Sequence, residues 1–473
     1  MSEVVKCPRG RSADAAGSVQ AVDCGTERRS GRKCQRRGVH AGTSTTSSGE
    51  TSGKRVAGRR CPVSARRQPG IDRGQRVLGI HRRLSPERLY IAALGMTGLA
   101  AVVSVALPAT ERGELAANMV AATMGAAIGG FSTDTFLLSR PAGWIMSRGR
   151  SWILGILGVS LGLTAAAAAA MTALAGIGSF TVGIGAACAL TVFNTAAALG
   201  LRLKKFWLVY ATRAAGGGVL MAGYAILLVG DERDGSHWSL VWLLVQVAAA
   251  AVLAGAVLVW AQRLRPFPAV TARLPEYRAD LVAVGQLHVG VSAQMVTYRL
   301  SQVLVARFAG AGPLGVYALA VAALEFAQAG AVVRSQRILA ERDPDAIQDQ
   351  SRAAVRAAFP VACLAVIGLA VVGLLVPDYR DAWIFGLLLL PGTLALAVGK
   401  TWSAMLLKQS GERATTAVAL VTMSVSVVLY LLLIPWIGAT GAATASSLAY
   451  GVYTFRTWQR LRRSSHLLLN RVA

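Results

Sequence analysis

The chain has 473 residues, of which 54% are hydrophobic and only 15% are charged, and its mean hydropathy is +0.50. Lys and Arg number 49 against 23 Asp and Glu, so the formal net charge at pH 7 is +26. A soluble globular domain is roughly one quarter charged, whereas apolar runs joined by short basic loops are typical of a multi-span membrane protein. These values therefore exclude an ordinary soluble domain.

The first 88 residues carry half of the net charge. Their twenty Lys and Arg and seven Asp and Glu give a net charge of +13. The segment has no apolar period and contains the polar run GTSTTSSGETSG (42–53), so we expect residues 1–88 to form a disordered, Arg-rich cytoplasmic tail. A basic start followed by an apolar core of ~7–15 residues does not occur in this segment, so a signal peptide is not expected.

Three interpretations of this tail remain open. Juxtamembrane basic segments are attracted to anionic lipid, which favours a role at the membrane surface. Arg clusters also suit nucleic acid, but no aromatic residue interleaves with them before Tyr90, so no nucleic-acid partner is expected. The third interpretation is upstream sequence translated from a mis-set start, because no Met lies between Met1 and Met96.

From Leu89 onward, apolar runs follow one another along the chain. About 20 helical residues cross a hydrocarbon core of ~30 Å, and only helices and closed barrels satisfy the backbone hydrogen bonds there. We count twelve such runs, at residues 89–107, 115–139, 152–175, 179–200, 206–230, 239–261, 281–309, 314–336, 353–376, 382–407, 414–434 and 438–459. The sequence therefore predicts an all-α integral membrane protein with about twelve transmembrane helices.

The charges between the runs predict the orientation, because cytoplasmic loops carry Lys and Arg in excess. Alternate loops and the C-terminal tail (460–473) are basic, whereas the intervening loops hold seven acids and three Arg, Arg112 among them. Both termini are therefore predicted to lie in the cytoplasm. The protein is expected in the cytoplasmic membrane, with its basic loops against anionic lipid headgroups.

The longest connection between runs, residues 263–280, contains three Pro and is predicted to link two six-helix halves, residues 89–262 and 281–459. The halves share a faint repeat. LPATERGELA (107–116) and GAGPLGVYALA (310–320) each combine a Pro-containing outward turn with a Gly and a small-residue helix start. A parallel six-plus-six repeat recurs among transporters.

Several stretches resemble the polysaccharide flippases of the multidrug/oligosaccharidyl-lipid/polysaccharide exporter superfamily. In the second half they are GPLGVYALAVAALEFAQ (312–328), PDYRDAWIFGLLLLPG (377–392) and LLLIPWIGATGAATASSLAY (431–450). In the first half, ATERGELAA (109–117) is similar to the first outward turn of that family. The resemblance covers most of residues 89–463, and it implies a flippase whose central, cation-lined cavity holds a lipid-linked sugar.

Three cations lie well inside the apolar runs, away from the ends. A charge at mid-bilayer costs at least ~2.5–3.5 kcal/mol, so the few that remain usually face a cavity. Arg213, Arg299 and Lys400 would suit an anionic headgroup such as a sugar pyrophosphate, and Gln302 shares a helical face with Arg299. We predict a substrate site of these four residues. The alternatives are an ion pair of an Arg with Glu325, and snorkelling of Lys400 to the inner surface.

Three further residues are candidates for ion coupling: Glu325, His288 and Asp134. Glu325 could instead serve as the structural partner of Arg299. His288 could be a hydrogen-bonded helix contact rather than a proton relay. Asp134 lies near the end of a run, where a carboxylate can be solvated.

The predicted function is the flipping, by alternating access, of a polyprenyl-diphosphate-linked oligosaccharide for cell-surface polysaccharide biosynthesis, with glycan polymerase machinery as an expected associate. An ion-coupled exporter of drugs or small molecules is the alternative. A membrane glycan polymerase or ligase is disfavoured, and no enzymatic activity is expected, because the outward loops are too short to house a catalytic site. The sequence has no GxxxxGK[ST] motif, and its six Cys show no metal-ligand or CxxC spacing, so neither cofactor nor metal is expected.

Overall fold

The described part of the chain is a bundle of α-helices. In the computed structural model it comprises residues 86–140, 142–263, 274–340 and 347–472. Two 3₁₀ turns, Ser104–Ala106 and Pro377–Tyr379, accompany the α-helices. The helices are α1 (Pro86–Val103), α2 (Ala109–Gly129), α3 (Thr133–Ser139), α4 (Ala142–Ala175), α5 (Phe180–Arg202), α6 (Phe206–Val229), α7 (Gly235–Arg263), α8 (Leu274–Ala309), α9 (Ala311–Ala327), α10 (Ala329–Ala340), α11 (Ile347–Leu375), α12 (Ala382–Ser410) and α13 (Glu412–Val472).

Each of the twelve predicted runs coincides with a helix or with helices that meet at a break. The second run is divided into α2 and α3, and the eighth into α9 and α10, whose axes bend by 48°. The eleventh and twelfth runs lie within α13, which is interrupted at Ile437 and Gly438. Gly438 has φ +56°, a left-handed conformation that favours glycine, just after Pro435.

By length and apolar composition, seven helices of the described residues can span a membrane, or eight if the α9–α10 pair is one span. Helices α2 and α8 are not in this set, because charged and polar side chains such as Arg112 and Arg299 interrupt their apolar surface. The apolar part of α1 is shorter, Tyr90–Ala106. The predicted fold class, an all-α integral membrane protein, is confirmed.

The helices extend beyond the predicted boundaries at several places. Helix α8 begins at Leu274, inside the predicted linker, because a proline at position 275 is compatible with the first helical turn. Helix α13 continues to Val472 through the predicted C-terminal tail. The predicted disordered tail lies outside the described residues up to residue 85, and α1 already begins at Pro86.

Two large hydrophobic clusters form the core, and α2 contributes to both. One cluster centres on α8, α9, α12 and α13 and includes the fully buried Tyr317 and Tyr430. The other joins α1, α2, α5, α6 and α7 around Trp238. Helix α2 therefore packs against helices from both predicted halves, although the division into halves stays a prediction.

Candidate functional site

Helices from both predicted halves enclose a central cavity of about 450 Å³, which we call cavity 1. Helices α1, α2, α5, α6 and α7 line one side, and α8 and α9 line the other. Its volume lies within the range of ~300–1,000 Å³ that is usual for ligand pockets. The charged residues that line it are Arg112, Arg213, Arg299 and Glu325.

A second cavity of about 260 Å³, cavity 2, lies among α1, α8, α9, α10, α12 and α13. Lys400, Tyr298 and Tyr450 belong to its lining. Arg299 and Glu325 line both cavities. These two side chains therefore lie where the cavities adjoin.

Arg299 and Glu325 form an ion pair between α8 and α9. The Arg299 Nη2 atom lies 2.7 Å from Oε1 of Glu325 and donates a hydrogen bond to Oε2 at 3.0 Å. The two side chains are 23% and 44% exposed, respectively, so the pair is accessible from the cavities. The sequence left two alternatives for Arg299, an ion pair with Glu325 and a position facing the cavity. In the structure Arg299 has both.

Buried hydroxyl groups hold α8 in place next to this pair. The hydroxyl of Tyr317 lies 3.1 Å from that of Ser301 on α8 and 3.2 Å from that of Ser446 on α13. The Tyr430 hydroxyl donates to the Thr297 carbonyl at 2.6 Å. Such a network restricts how α8 can rotate, and it fixes the face that presents Arg299 and Gln302 to cavity 1.

Arg213 on α6 is a cation that forms no salt bridge within 4.0 Å with a carboxylate of the described residues. Its guanidinium carbon lies 5.3 Å from the ring centre of Phe193, and no hydrogen bond or ion pair joins it to a described side chain. Gly217, one turn further along α6, allows close approach to α1, because a Cβ there would lie 2.9 Å from that of Met96. Arg213 is therefore available to an anion in cavity 1.

The other two predicted substrate residues lie in different cavities. Gln302 is 3% exposed and lines cavity 1 with Arg213 and Arg299. Lys400 lines cavity 2, where its Nζ donates to Gln328 Oε1 and lies 5.4 Å from the Tyr298 ring centre. The four residues thus divide into a group of three and a separate lysine, with Arg299 as the shared member of both linings.

Of the predicted coupling residues, Glu325 alone lines a cavity. The Nδ1 atom of His288 lies 3.3 Å from Ser132 Oγ, and its ring stacks on Phe131 at 4.8 Å, which is the helix-contact alternative. Asp134 accepts a hydrogen bond from Thr135 near the start of α3. Neither residue lines cavity 1 or cavity 2.

Arg112 is the main residue that the sequence interpretation missed, because its charge assigned it to an outward loop. In the structure it lies in the first turn of α2 and is 5% exposed. Its Nε donates to Ser104 Oγ at 3.0 Å, and its Nη1 donates to the Gly315 carbonyl at 2.6 Å. Pro108 directly before the ATERGELAA stretch is typical of a helix start, and this signal could have identified Arg112 as helical.

No protein-family model and no curated protein matches the chain. Among solved structures, the inward-facing conformation of a multidrug resistance MATE family transporter of the MOP superfamily matches with a TM-score of 0.56 and 13% identity, covering 81% of this chain and 96% of that one. An outward-facing conformation of a multidrug resistance MATE family transporter of the MOP superfamily matches with a TM-score of 0.50 and 12% identity, covering 81% of this chain and 97% of that one. An inward closed structure of the lipid II flippase MurJ gives 0.48 and 11%, with 79% and 87% covered.

The helices and cavities define a multi-pass membrane protein with a central, cation-lined cavity. The chain shares the fold of a multidrug resistance MATE family transporter of the MOP superfamily. The fold that the motif resemblance implied is thereby confirmed.

Proposed function

We propose that the protein is a transporter that flips a polyprenyl-diphosphate-linked oligosaccharide across the cytoplasmic membrane for cell-surface polysaccharide biosynthesis. The observation that carries this proposal is the position of Arg213, a cation that forms no salt bridge with a described carboxylate, in cavity 1 together with Arg299. Arginine binds phosphate oxygens through charge-assisted hydrogen bonds. A diphosphate would pair Arg213 and compete with Glu325 for Arg299.

The charge balance of cavity 1 favours an anionic substrate. Three Arg and one Glu line it, so its charged residues sum to +2. A cavity of about 450 Å³ suits a headgroup rather than an entire lipid-linked molecule, so the polyprenyl chain would remain in the bilayer. With the cell interior negative, outward movement of an anion is favoured by ~2.3 kcal/mol per charge per 100 mV.

In this mechanism the two six-helix halves rock about cavity 1 and expose it to each side of the membrane in turn. The protein makes and breaks no covalent bond of the substrate. Glu325 is the coupling candidate that we retain, because it is the only one of the three that touches the cavity. Lys400 and the tyrosines of cavity 2 would then contact a neighbouring part of the headgroup.

Export of a drug or another small molecule is the second candidate function. It is supported by the fold shared with a multidrug resistance transporter and by Glu325, whose carboxylate would suit a cationic compound once Arg299 moves away. The sign of the charge on the transported molecule separates the two candidates.

The test is a flipping assay with the full-length protein in liposomes that contain a polyprenyl-diphosphate-linked oligosaccharide. We expect headgroups to become accessible on the opposite leaflet, and Arg213→Gln to slow this by at least tenfold, since a charge-assisted hydrogen bond contributes ~1.5–3 kcal/mol. Arg456→Gln is the matched control, because Arg456 lies on an exposed surface of α13, where its hydrogen bond among the described residues is to Gln459 at 3.5 Å. Transport of organic cations without any flipping by the wild-type protein would favour the drug exporter.

A further inference from the structure

Helices α2 and α9 cross with their backbones in direct contact, and the contact is reciprocal. A Cβ atom added at Gly113 would overlap the carbonyl oxygen of Ala311, and one added at Gly315 would overlap that of Ala109. The two segments are the repeat ATERG and AGPLG, one from each predicted half. The repeat therefore builds a crossing that only glycine permits.

Arg112 fastens this crossing. Its Nη1 donates to the Gly315 carbonyl across the contact, and its Nε is held by Ser104, whose own hydroxyl donates to the Ala101 carbonyl. Outside the crossing itself, the Tyr379 hydroxyl donates to the Leu107 carbonyl at 2.7 Å, and the Arg112 guanidinium carbon lies 5.8 Å from the centre of the Tyr379 ring. Arg112 thus uses neutral acceptors, and no carboxylate of the described residues pairs with it.

A buried donor without a hydrogen-bond partner among the described residues lines the same cavity as Arg112. The Tyr224 hydroxyl makes no hydrogen bond with any described residue, although the side chain is only 1% exposed and its ring packs on Trp238. Arg112 and Tyr224 both line cavity 1. Unsatisfied buried polar groups are rare, and one that lines a cavity is explained if a bound ion or other ligand supplies its partner.

We propose that Arg112 and Tyr224 form a subsite for an oxyanion at the α2–α9 end of cavity 1, and that its occupation withdraws Arg112 from the Gly315 carbonyl and loosens the crossing. The Arg112 guanidinium has donors left over after its two hydrogen bonds, and the Tyr224 hydroxyl supplies another. A phosphate oxygen would thus find two donors that have no other ligand. The inference rests on the proposed function only in taking this oxyanion from the diphosphate of the transported molecule.

Disulfide formation across the crossing reports whether it is closed. A Cβ at Gly312 would lie 3.7 Å from Thr110 Cγ2, so Thr110→Cys with Gly312→Cys should form a disulfide when the helices touch. The six native Cys of the full chain are replaced by Ser for this purpose. Inorganic diphosphate is the first probe, and the lipid-linked oligosaccharide in liposomes is the second.

We expect inorganic diphosphate to slow disulfide formation at least threefold, and Tyr224→Phe to raise the concentration needed for half of this effect about tenfold. Arg112→Lys should also raise the diphosphate concentration needed for half of the effect. If the Arg112 variant does not fold, Tyr224→Phe alone tests the proposal. Tyr90→Phe is the control, because Tyr90 also lines cavity 1 but packs on Tyr210. Loss of the Tyr90 hydroxyl should leave the diphosphate concentration for half of the effect unchanged.

The outcomes separate the two proposals. A parent-like response of Tyr224→Phe to diphosphate, or a rate of disulfide formation that diphosphate does not change, overturns the subsite even if lipid-linked sugar is flipped. A diphosphate response that Tyr224→Phe weakens, in a protein that flips no lipid-linked sugar, supports the subsite and overturns the proposed function. A response to the lipid-linked oligosaccharide as well as to diphosphate supports both.

Discussion

Replacing Gly113 by alanine should open the α2–α9 crossing. The added methyl group would occupy the position of the Ala311 carbonyl oxygen, which is backbone and cannot rotate away as a side chain would. Helices α2 and α9 must therefore separate in the variant. Because the contact is reciprocal, Gly315→Ala should act in the same way through the Ala109 carbonyl.

The magnitude follows from the steric overlap. Overpacking of a close contact costs ~1–3 kcal/mol, whereas the helix preference of alanine over glycine acts equally on the closed and the open crossing. The closed crossing should thus lose ~1–3 kcal/mol, and a loss of ~1.4 kcal/mol corresponds to a tenfold change in its population. Gly113→Ala and Gly315→Ala disrupt the same contact, so the effect of the double substitution should be smaller than the sum of the two single effects.

The assay is the disulfide between Thr110→Cys and Gly312→Cys, with thermal unfolding of the same protein measured in parallel. Gly255→Ala in α7 is the matched control, because it makes the same chemical change where nothing lies within 4 Å of the added Cβ. We expect slower disulfide formation for Gly113→Ala and the parent rate for Gly255→Ala. Parent rates for both Gly113→Ala and Gly315→Ala would refute the packing argument.

Three other predictions concern the cavity, the topology and the tail. Arg299→Ala should abolish flipping while the protein level stays near normal, because an ion pair whose side chains are 23% and 44% exposed contributes about 1 kcal/mol or less to the free energy of unfolding. If a second substitution, Glu325→Ala, restored flipping, the role of the ion pair would be purely structural. Cysteine labelling should find Ser236 accessible from outside and Ser410 inaccessible, and the reverse pattern would overturn the orientation. Deletion of residues 1–76 should leave insertion and flipping intact, which membrane fractionation and the liposome assay would check.

The fold could be predicted from the sequence because the membrane imposes a length on each apolar run and prohibits unpaired backbone within it. The helices α5 and α6, which are apolar along most of their length, begin and end within two residues of their predicted positions, whereas α4 begins at Ala142, ten residues before its predicted run. The same reasoning does not predict polar groups that are buried between helices. Arg112 was assigned to a loop because a window of hydropathy cannot distinguish a solvated cation from one whose acceptor, the Gly315 carbonyl, lies 203 positions away.

The candidate site was predictable only in part, for the same reason. The charges Arg213, Arg299 and Glu325 stand out in apolar runs, and the structure brings all three to cavity 1. Lys400 stands out equally but lines cavity 2 alone, because the rotation of α12 depends on packing against α13 rather than on its own sequence. Tyr224 could not be identified at all, since a tyrosine in an apolar run gives no sign that its hydroxyl lacks a partner.

The cations of cavity 1 come from both predicted halves, and this distribution links binding to movement. Arg112 and Arg213 belong to the first half, and Arg299 belongs to the second. A headgroup that contacted all three would attract the halves towards one another around the cavity, while it removed the Arg112 hydrogen bond that joins them at the crossing. A ligand shifts a conformational equilibrium only by its differential affinity for the two states. An anion that gains Arg112 only when the crossing loosens would have such a preference, and a neutral molecule of the same shape would not.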